Sequence, residues 1–282
     1  SASAAPSPRS PPPLPSGGAP KGGVPERAGA SKPAVVGNLR QIRTVFLILL
    51  ENKAWSEIKG SPDAPFINQV LLPQASLALR YRGPRSGSLH PSEPNYIWIE
   101  AGDNLGITSD EDPDENHRST SEHLVNQLES AGISWRSYQE DIPGDACPLV
   151  PIGAYMPKHN PMVYFDDVTN GNDPKASRCI EHVRPLAKSA APGGDFESDL
   201  AAGKVARYNF ITPNMCNDMH TSCPPLHNLT RQGDDWLARW IPKIQASTAY
   251  KNSGAICSTW DEAEYAEGCP GADCPIGFLV LS

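Results

Sequence analysis

The chain has 282 residues, 39% of them hydrophobic, with 30 prolines, 7 cysteines and a formal net charge of −8. Such a length can bury a sizeable core, and an acidic balance without a basic face excludes general nucleic-acid binding. No apolar run reaches the roughly 20 residues of a membrane-crossing helix, and no signal-peptide pattern is present, although a mature exported chain would have lost one.

Residues 1–35 are Ser, Ala, Pro and Gly with little else. Too few apolar side chains are available there to offset chain entropy. The segment predicts a disordered tether, as at the mature N-terminus of an exported protein. The folded domain is expected over 36–282. It opens with Thr44–Leu50, an apolar run without alternation that suits a strand buried on both faces of a parallel sheet. The run stops on Glu51-Asn52, and in open α/β sheets ligands bind just beyond the carboxyl ends of the strands. A solvated loop would begin the same way.

The pattern recurs. Ala206–Thr212 runs into Asp218 and His220, and Ala255–Trp260 runs into Asp261-Glu262. Three such strand ends side by side would gather the oxygen and imidazole ligands that a divalent cation takes. Between them, 65–72 predicts a short helix and Ala75–Tyr81 a strand, followed by a Gly/Pro/Ser-rich loop. Ser92-Glu93-Pro94 predicts a helix start with Pro in its first turn. Ser92 is then either an N-cap or a nucleophile at a helix N-terminus that binds phosphate. The acidic segment Ser109–Asn116 lacks the alternating ligands and central glycine of a calcium hand, and predicts a solvated loop.

Ser119-Thr120-Ser121-Glu122 has the form of a capping box before a helix with Leu124, Val125 and Leu128, stopped by Gly132. Ile133–Tyr138 predicts a strand. Cys147–Cys179 is irregular, and His159 within it is either a site residue or a surface histidine. Asp195–Ala202 predicts a helix ending at Gly203. Asp234-Asp235 predicts a helix start, with acids favoured by the dipole. The last residues, to Ser282, look like a core strand, so the domain is expected to be truncated at its C-terminus. Short spacings predict disulfides Cys216–Cys223 and Cys269–Cys274, with Cys147–Cys179 closing a longer loop and Cys257 buried and free. Without a zinc-knuckle context this implies an exported setting, secreted or periplasmic/cell-envelope; reduced cysteines in a cytosolic protein are the competing reading.

Five segments carry a resemblance. Glu51-Asn52-Lys53, His90-Pro-Ser92-Glu-Pro-Asn95-Tyr96, Tyr155-Met-Pro-Lys-His159-Asn-Pro, Ile211-Thr-Pro-Asn-Met-Cys-Asn-Asp218-Met-His220 and Thr259-Trp-Asp261-Glu262 resemble, in that order, the signatures of the phosphoesterase family. That family unites acid phosphatases with bacterial non-specific phospholipases C. The resemblance runs from about Thr44 to Ser282. It implies an alkaline-phosphatase-like α/β fold, a three-layer α/β/α sandwich around a mostly parallel sheet.

It also implies a divalent metal ion (Ca, Mg, Mn or Zn, not distinguished) held by Glu51, Asn52, Asp218, Asp261 and Glu262. Ser92 matches the nucleophile, and Asn52, Asn95 and His159 match contacts to the phosphoryl oxygens. His159 or His220 is expected to donate a proton to the leaving oxygen in a mildly acidic medium. A second, histidine-bound metal stays open, with Asp218 and His220 as its only candidates. The activity implied is a metal-dependent phosphomonoesterase passing through phosphoserine on a small phosphate ester; contact with an envelope or lipid surface is left open. Glu93-Pro94 after the serine is closer to the acid-phosphatase branch. The alternatives are a phospholipase C-type phosphodiesterase, with Trp55, Trp98 or Tyr164 as its apolar rim, and an inactive truncated surface module.

Overall fold

The computed structural model describes residues 41–83, 90–187, 194–263 and 274–282. The tether over 1–35, most of the Gly/Pro/Ser-rich loop and Cys269 of the expected Cys269–Cys274 pair lie outside these residues. The chain divides into units 1–39 and 40–282, and every described residue belongs to the second. In chain order the elements are β1 (Thr44–Leu50), α1 (Trp55–Ile58), a π-helical turn (Ile67–Leu71), β2 (Ser76–Leu77), α2 (Ser92–Ala101), α3 (Pro113–Asn116), α4 (Leu124–Ser130) and β3 (Trp135–Gln139). They continue with two 3₁₀ turns over 157–164, α5 (Asp166–Thr169), α6 (Ser177–His182), β4 (Val183–Pro185), α7 (Asp195–Ala202), β5 (Tyr208–Thr212), α8 (Leu229–Ala246), α9 (Thr248–Lys251), β6 (Gly254–Trp260) and β7 (Phe278–Leu281).

The described strands form one seven-stranded sheet in the order β2-β7-β6-β1-β5-β3-β4. From β6 to β4 all neighbours are parallel, while β7 and β2 add an antiparallel edge. The apolar run of β1 explains its central place, because alternate side chains feed both faces of the sheet. Phe46, Ile48 and Leu50 pack with Trp55, Phe196, Trp236 and Trp240, under α1, α7 and α8. Leu49 packs on the other face with Tyr96, Ile97 and Val125 of α2 and α4. Helices on both faces of a mostly parallel sheet make this the expected α/β architecture.

Local differences from the sequence reading have identifiable causes. Helix α8 begins five residues before Asp234, because Asn228 accepts the Arg231 amide and caps it there. The buried Asp234 carboxylate instead accepts the amides of Phe66 and Ile67 at 2.9 and 2.8 Å, and so caps the π-helical turn across the core. The apparent capping box does not cap α4. Thr120 takes the Glu122 amide, and the Val125 amide is met by Glu100 of α2 at 2.9 Å. The strand expected over Ala75–Tyr81 shrinks to Ser76–Leu77, which among the described residues has a partner only in β7. Disulfides Cys147–Cys179 and Cys216–Cys223 form as expected. Cys257 is free, but half-buried rather than buried. Among the described residues no helix is long and apolar enough to cross a membrane.

Candidate active site

The strand order sets the carboxyl ends of β6, β1 and β5 side by side. Backbone bonds stitch these ends together. The Glu51 amide donates to the Asp218 carbonyl at 2.8 Å, and the Asp261 amide to the Leu50 carbonyl at 3.0 Å. The Asn52 amide donates to Asp261 Oδ1 at 3.1 Å. Asn52 has φ 55°, a left-handed conformation that Asn tolerates better than most residues, and this turn takes the chain off β1. Met219, between Asp218 and His220, has φ 82°. It lies against Gly233 of α8, where an added Cβ would come within 2.5 Å of Met219 Cγ. Trp260 Nε1 donates to its sulfur at 3.4 Å. The β5–α8 loop is therefore clamped from two sides.

Ser92 is the first residue of α2, behind an extended Pro91, and no side chain caps that end from the Pro91 position. The hydroxyl instead donates to Glu51 Oε2 at 2.8 Å. Tyr96, four residues on and hence on the same helical face, donates its OH to Glu51 Oε1 at 2.6 Å. Its ring stacks on His159, with centroids 5.0 Å apart. His159 Nε2 lies 3.3 Å from Glu51 Oε1, and its Nδ1 lies 3.2 Å from Asp218 Oδ2. Glu51, His159 and His220 each offer an atom within 4.8 Å of the others.

The electrostatics are those of a site built around charge. Burial first, then the charges of Asp261 and Asp218, push the Glu51 carboxyl well above the usual range. Burial pushes Asp218 and Asp261 up to about 7. It pushes His159 down to about 3 and His220 down to about 4. Asn52 Oδ1, Asp218 Oδ2 and Asp261 Oδ2 are buried without a hydrogen bond. Buried oxygens lacking donors, beside neutral imidazoles, are the donor set of a divalent cation. The residues fit such an ion.

Of the residues singled out from sequence, Glu51, Asn52, Ser92, His159, Asp218, His220 and Asp261 converge. The Glu262 carboxylate lies 2.6 Å from His90 Nδ1 and accepts from Asn95 Nδ2 at 3.4 Å, next in sequence to the buried Asp261. Glu51 is the carboxylate that Ser92 meets directly. Burial, which lowers both rings of His159 and His220, favours the neutral imidazoles that suit an ion or a phosphoryl oxygen. Trp55 and Tyr164 are buried and form no lipid-facing rim, whereas Trp98 is half-buried beside a cleft.

Three residues escaped the sequence reading. Tyr96 stood in a recognised motif without a role. Asp110, expected in a solvated loop, accepts the Glu93 amide at 2.9 Å and pairs with Lys158 Nζ at 2.6 Å. It thereby ties the first turn of α2 to the segment bearing His159. Glu140 accepts the Asn214 amide, the Asn217 side chain and Trp236 Nε1 at 3.0, 2.9 and 3.2 Å, and burial raises it to about 7. The available signal was the same one that marked Glu51, an acid directly after a buried strand.

This mostly parallel sheet with helices on both faces is an alkaline-phosphatase-like fold. A protein in the alkaline phosphatase superfamily from Vibrio parahaemolyticus superposes with a TM-score of 0.52 at 11% identity, covering 86% of this chain and 61% of that one. The phosphoesterase family profile matches residues 85–267, and the chain belongs to that family. It is 29% identical over 218 residues to a phosphatidylinositol-3-phosphatase of Mycobacterium tuberculosis, covering 77% of this chain and 62% of that protein. It is 31% identical over 180 residues to an acid phosphatase of Aspergillus fumigatus, covering 61% and 36% respectively. The chain spans less than two thirds of each of these relatives.

Proposed function

We propose that the protein is a metal-dependent phosphomonoesterase of the acid-phosphatase kind, acting on small phosphate esters through a phosphoserine at Ser92. One observation carries this reading: Ser92 opens a helix yet gives its hydrogen bond to the buried carboxylate of Glu51. Glu51, Asn52, Asp218 and Asp261, with the imidazoles of His159 and His220, would hold the cation. Bound there, a divalent cation would keep these carboxylates ionised and offset negative charge on the phosphoryl group. Ser92 Oγ gives its proton to Glu51 Oε2 and bonds to phosphorus as the P–O bond to the alcohol breaks; the proton then passes to the departing alkoxide, which leaves as the alcohol with Glu51 again ionised. Water then hydrolyses the phosphoserine. Asp110 already occupies the Glu93 amide, so the phosphoryl oxygens fall to Asn95, Asn52 and His159 as charge shifts in the transition state.

The burial of Trp55 and Tyr164 favours a monoester over a lipid phosphodiester. The disulfides Cys147–Cys179 and Cys216–Cys223 support an exported setting. In the test, Ser92→Ala is expected to abolish p-nitrophenyl phosphate turnover while losing only about 1–3 kcal/mol of stability, from the hydrogen bond to Glu51. Acid quench with labelled substrate should trap phosphoserine in the parent chain and none in the variant. Chelation should lower both turnover and the thermal midpoint, since an ion bound only by the native state stabilises it. Parent-rate turnover by Ser92→Ala would sink the mechanism.

A further inference from the structure

We propose that a cleft running along α2 beside Ser92 receives the alcohol half of the substrate and selects an aromatic alcohol; this rests on the phosphomonoesterase reading above. The spacing in α2 places the cleft. Ser92, Asn95 and then Trp98 and Ile99 follow one another at helical intervals of three and four, so they share a face. Beyond Ser92 that face borders a cleft of about 230 Å³, lined by Asn95, Trp98 and Ile99 on one side and Asp261 on the other, with Tyr81 and Arg82 also in its lining. Asn95 of the lining lies one helical turn after Ser92, and Asp261 of the lining takes the Asn52 amide next to Glu51, so the cleft adjoins the residues around Ser92.

The size and lining name the occupant. A pocket that engulfs a drug-sized molecule has roughly 300–1,000 Å³, so this cleft suits a group of one or two rings and is too small for an acyl chain. Tyr81 is 39% exposed and is braced by Phe278, with ring centroids 4.8 Å apart. Trp98 brings a second ring. Trp98 is half-buried at the cleft wall. Two aromatic faces favour a flat apolar group, since offset and edge-to-face ring contacts add to simple burial. The buried Asp261 Oδ2 without a hydrogen bond marks the polar end of the same cleft.

The test compares kcat/KM for benzyl phosphate and ethyl phosphate, esters of primary alcohols with similar leaving ability, using the full chain with a divalent cation. The parent is expected to favour the benzyl ester at least about tenfold, the order of discrimination a hydrophobic contact supplies. Trp98→Ala should cut that ratio about tenfold, and Trp98→Phe should keep most of it. Tyr81→Ala, at an exposed position that does not endanger folding, should cut the ratio several-fold. Equal kcat/KM for the two esters in the parent, or a ratio that survives both alanine variants, would overturn the subsite while leaving the phosphomonoesterase reading intact. Hydrolysis of neither ester with any divalent cation would overturn both.

Discussion

At residue 92 a hydroxyl chooses between two uses, and its partner decides. Serine at a helix start ordinarily satisfies an amide of the first turn, but here Asp110 holds the Glu93 amide and frees Ser92 for Glu51. Tyr96 completes the arrangement. With Ser92 it supplies hydroxyl donors to both oxygens of a carboxylate that is 0% exposed. Tyr96→Phe keeps the ring stacked on His159 and removes only the 2.6 Å bond to Glu51 Oε1. Leaving that oxygen without its donor costs about 1–3 kcal/mol, so the variant should fold, melt several degrees lower and turn over about tenfold more slowly. Thermal melts together with kcat on p-nitrophenyl phosphate check this. An unchanged kcat would mean that Glu51 keeps its position without the phenol.

Among the elements, the loop between β5 and α8 carries Asp218 and His220 and has little regular structure of its own. Its position comes from Glu140 at the end of β3, from Trp260 at the end of β6 and from the groove that Gly233 leaves on α8. Gly233→Ala should improve helix propensity by about 1 kcal/mol. Its Cβ, however, would meet Met219 Cγ at 2.5 Å, and overpacking in a buried setting costs about 1–3 kcal/mol. The net expectation is a lower midpoint and weaker cation binding. Urea titration with and without the ion reads both, and a variant more stable than the parent would refute the clamp.

Elements of this kind were partly visible in the chain itself. The run Thr44–Leu50, the helix ending at Gly203 and the acids that close strands follow from local period and composition. Asp234 reaching Phe66 and Ile67, Glu100 reaching Val125 and Asp110 reaching Lys158 were not visible. A polar side chain states that it needs a partner, and only tertiary proximity says which one.

For the whole molecule, burial of polar groups makes stability depend on pH in a definite direction. Glu93 is pushed up to about 8 and Glu140 up to about 7, in each case mainly by burial. Between the ordinary carboxyl value near 4.5 and these values the native state keeps protons that the unfolded chain has lost. Stability therefore falls as pH rises through that window, by at most about 1.4 kcal/mol per unit for each group. His159 and His220, pushed down to about 3 and 4, act in the opposite direction. The unfolded chain takes up their protons first, so stability also falls as pH drops from 6.5 towards 4. The midpoint should peak in mild acid. Glu93→Gln should flatten the alkaline side, gaining on the parent as pH goes from 5 to 8. A parent midpoint that climbs steadily from pH 5 to 8 would contradict this assignment.

The central place of β1 has a further consequence, for the chain as it leaves the ribosome. Val45 pairs with Tyr208 on one side and with Ala255 on the other, so the most apolar strand of the sheet is made well before either neighbour. Until both arrive, its two hydrogen-bonding edges are open, and an open apolar edge is a template for joining another nascent chain. Biogenesis of this protein should therefore depend on a holding chaperone through most of its synthesis.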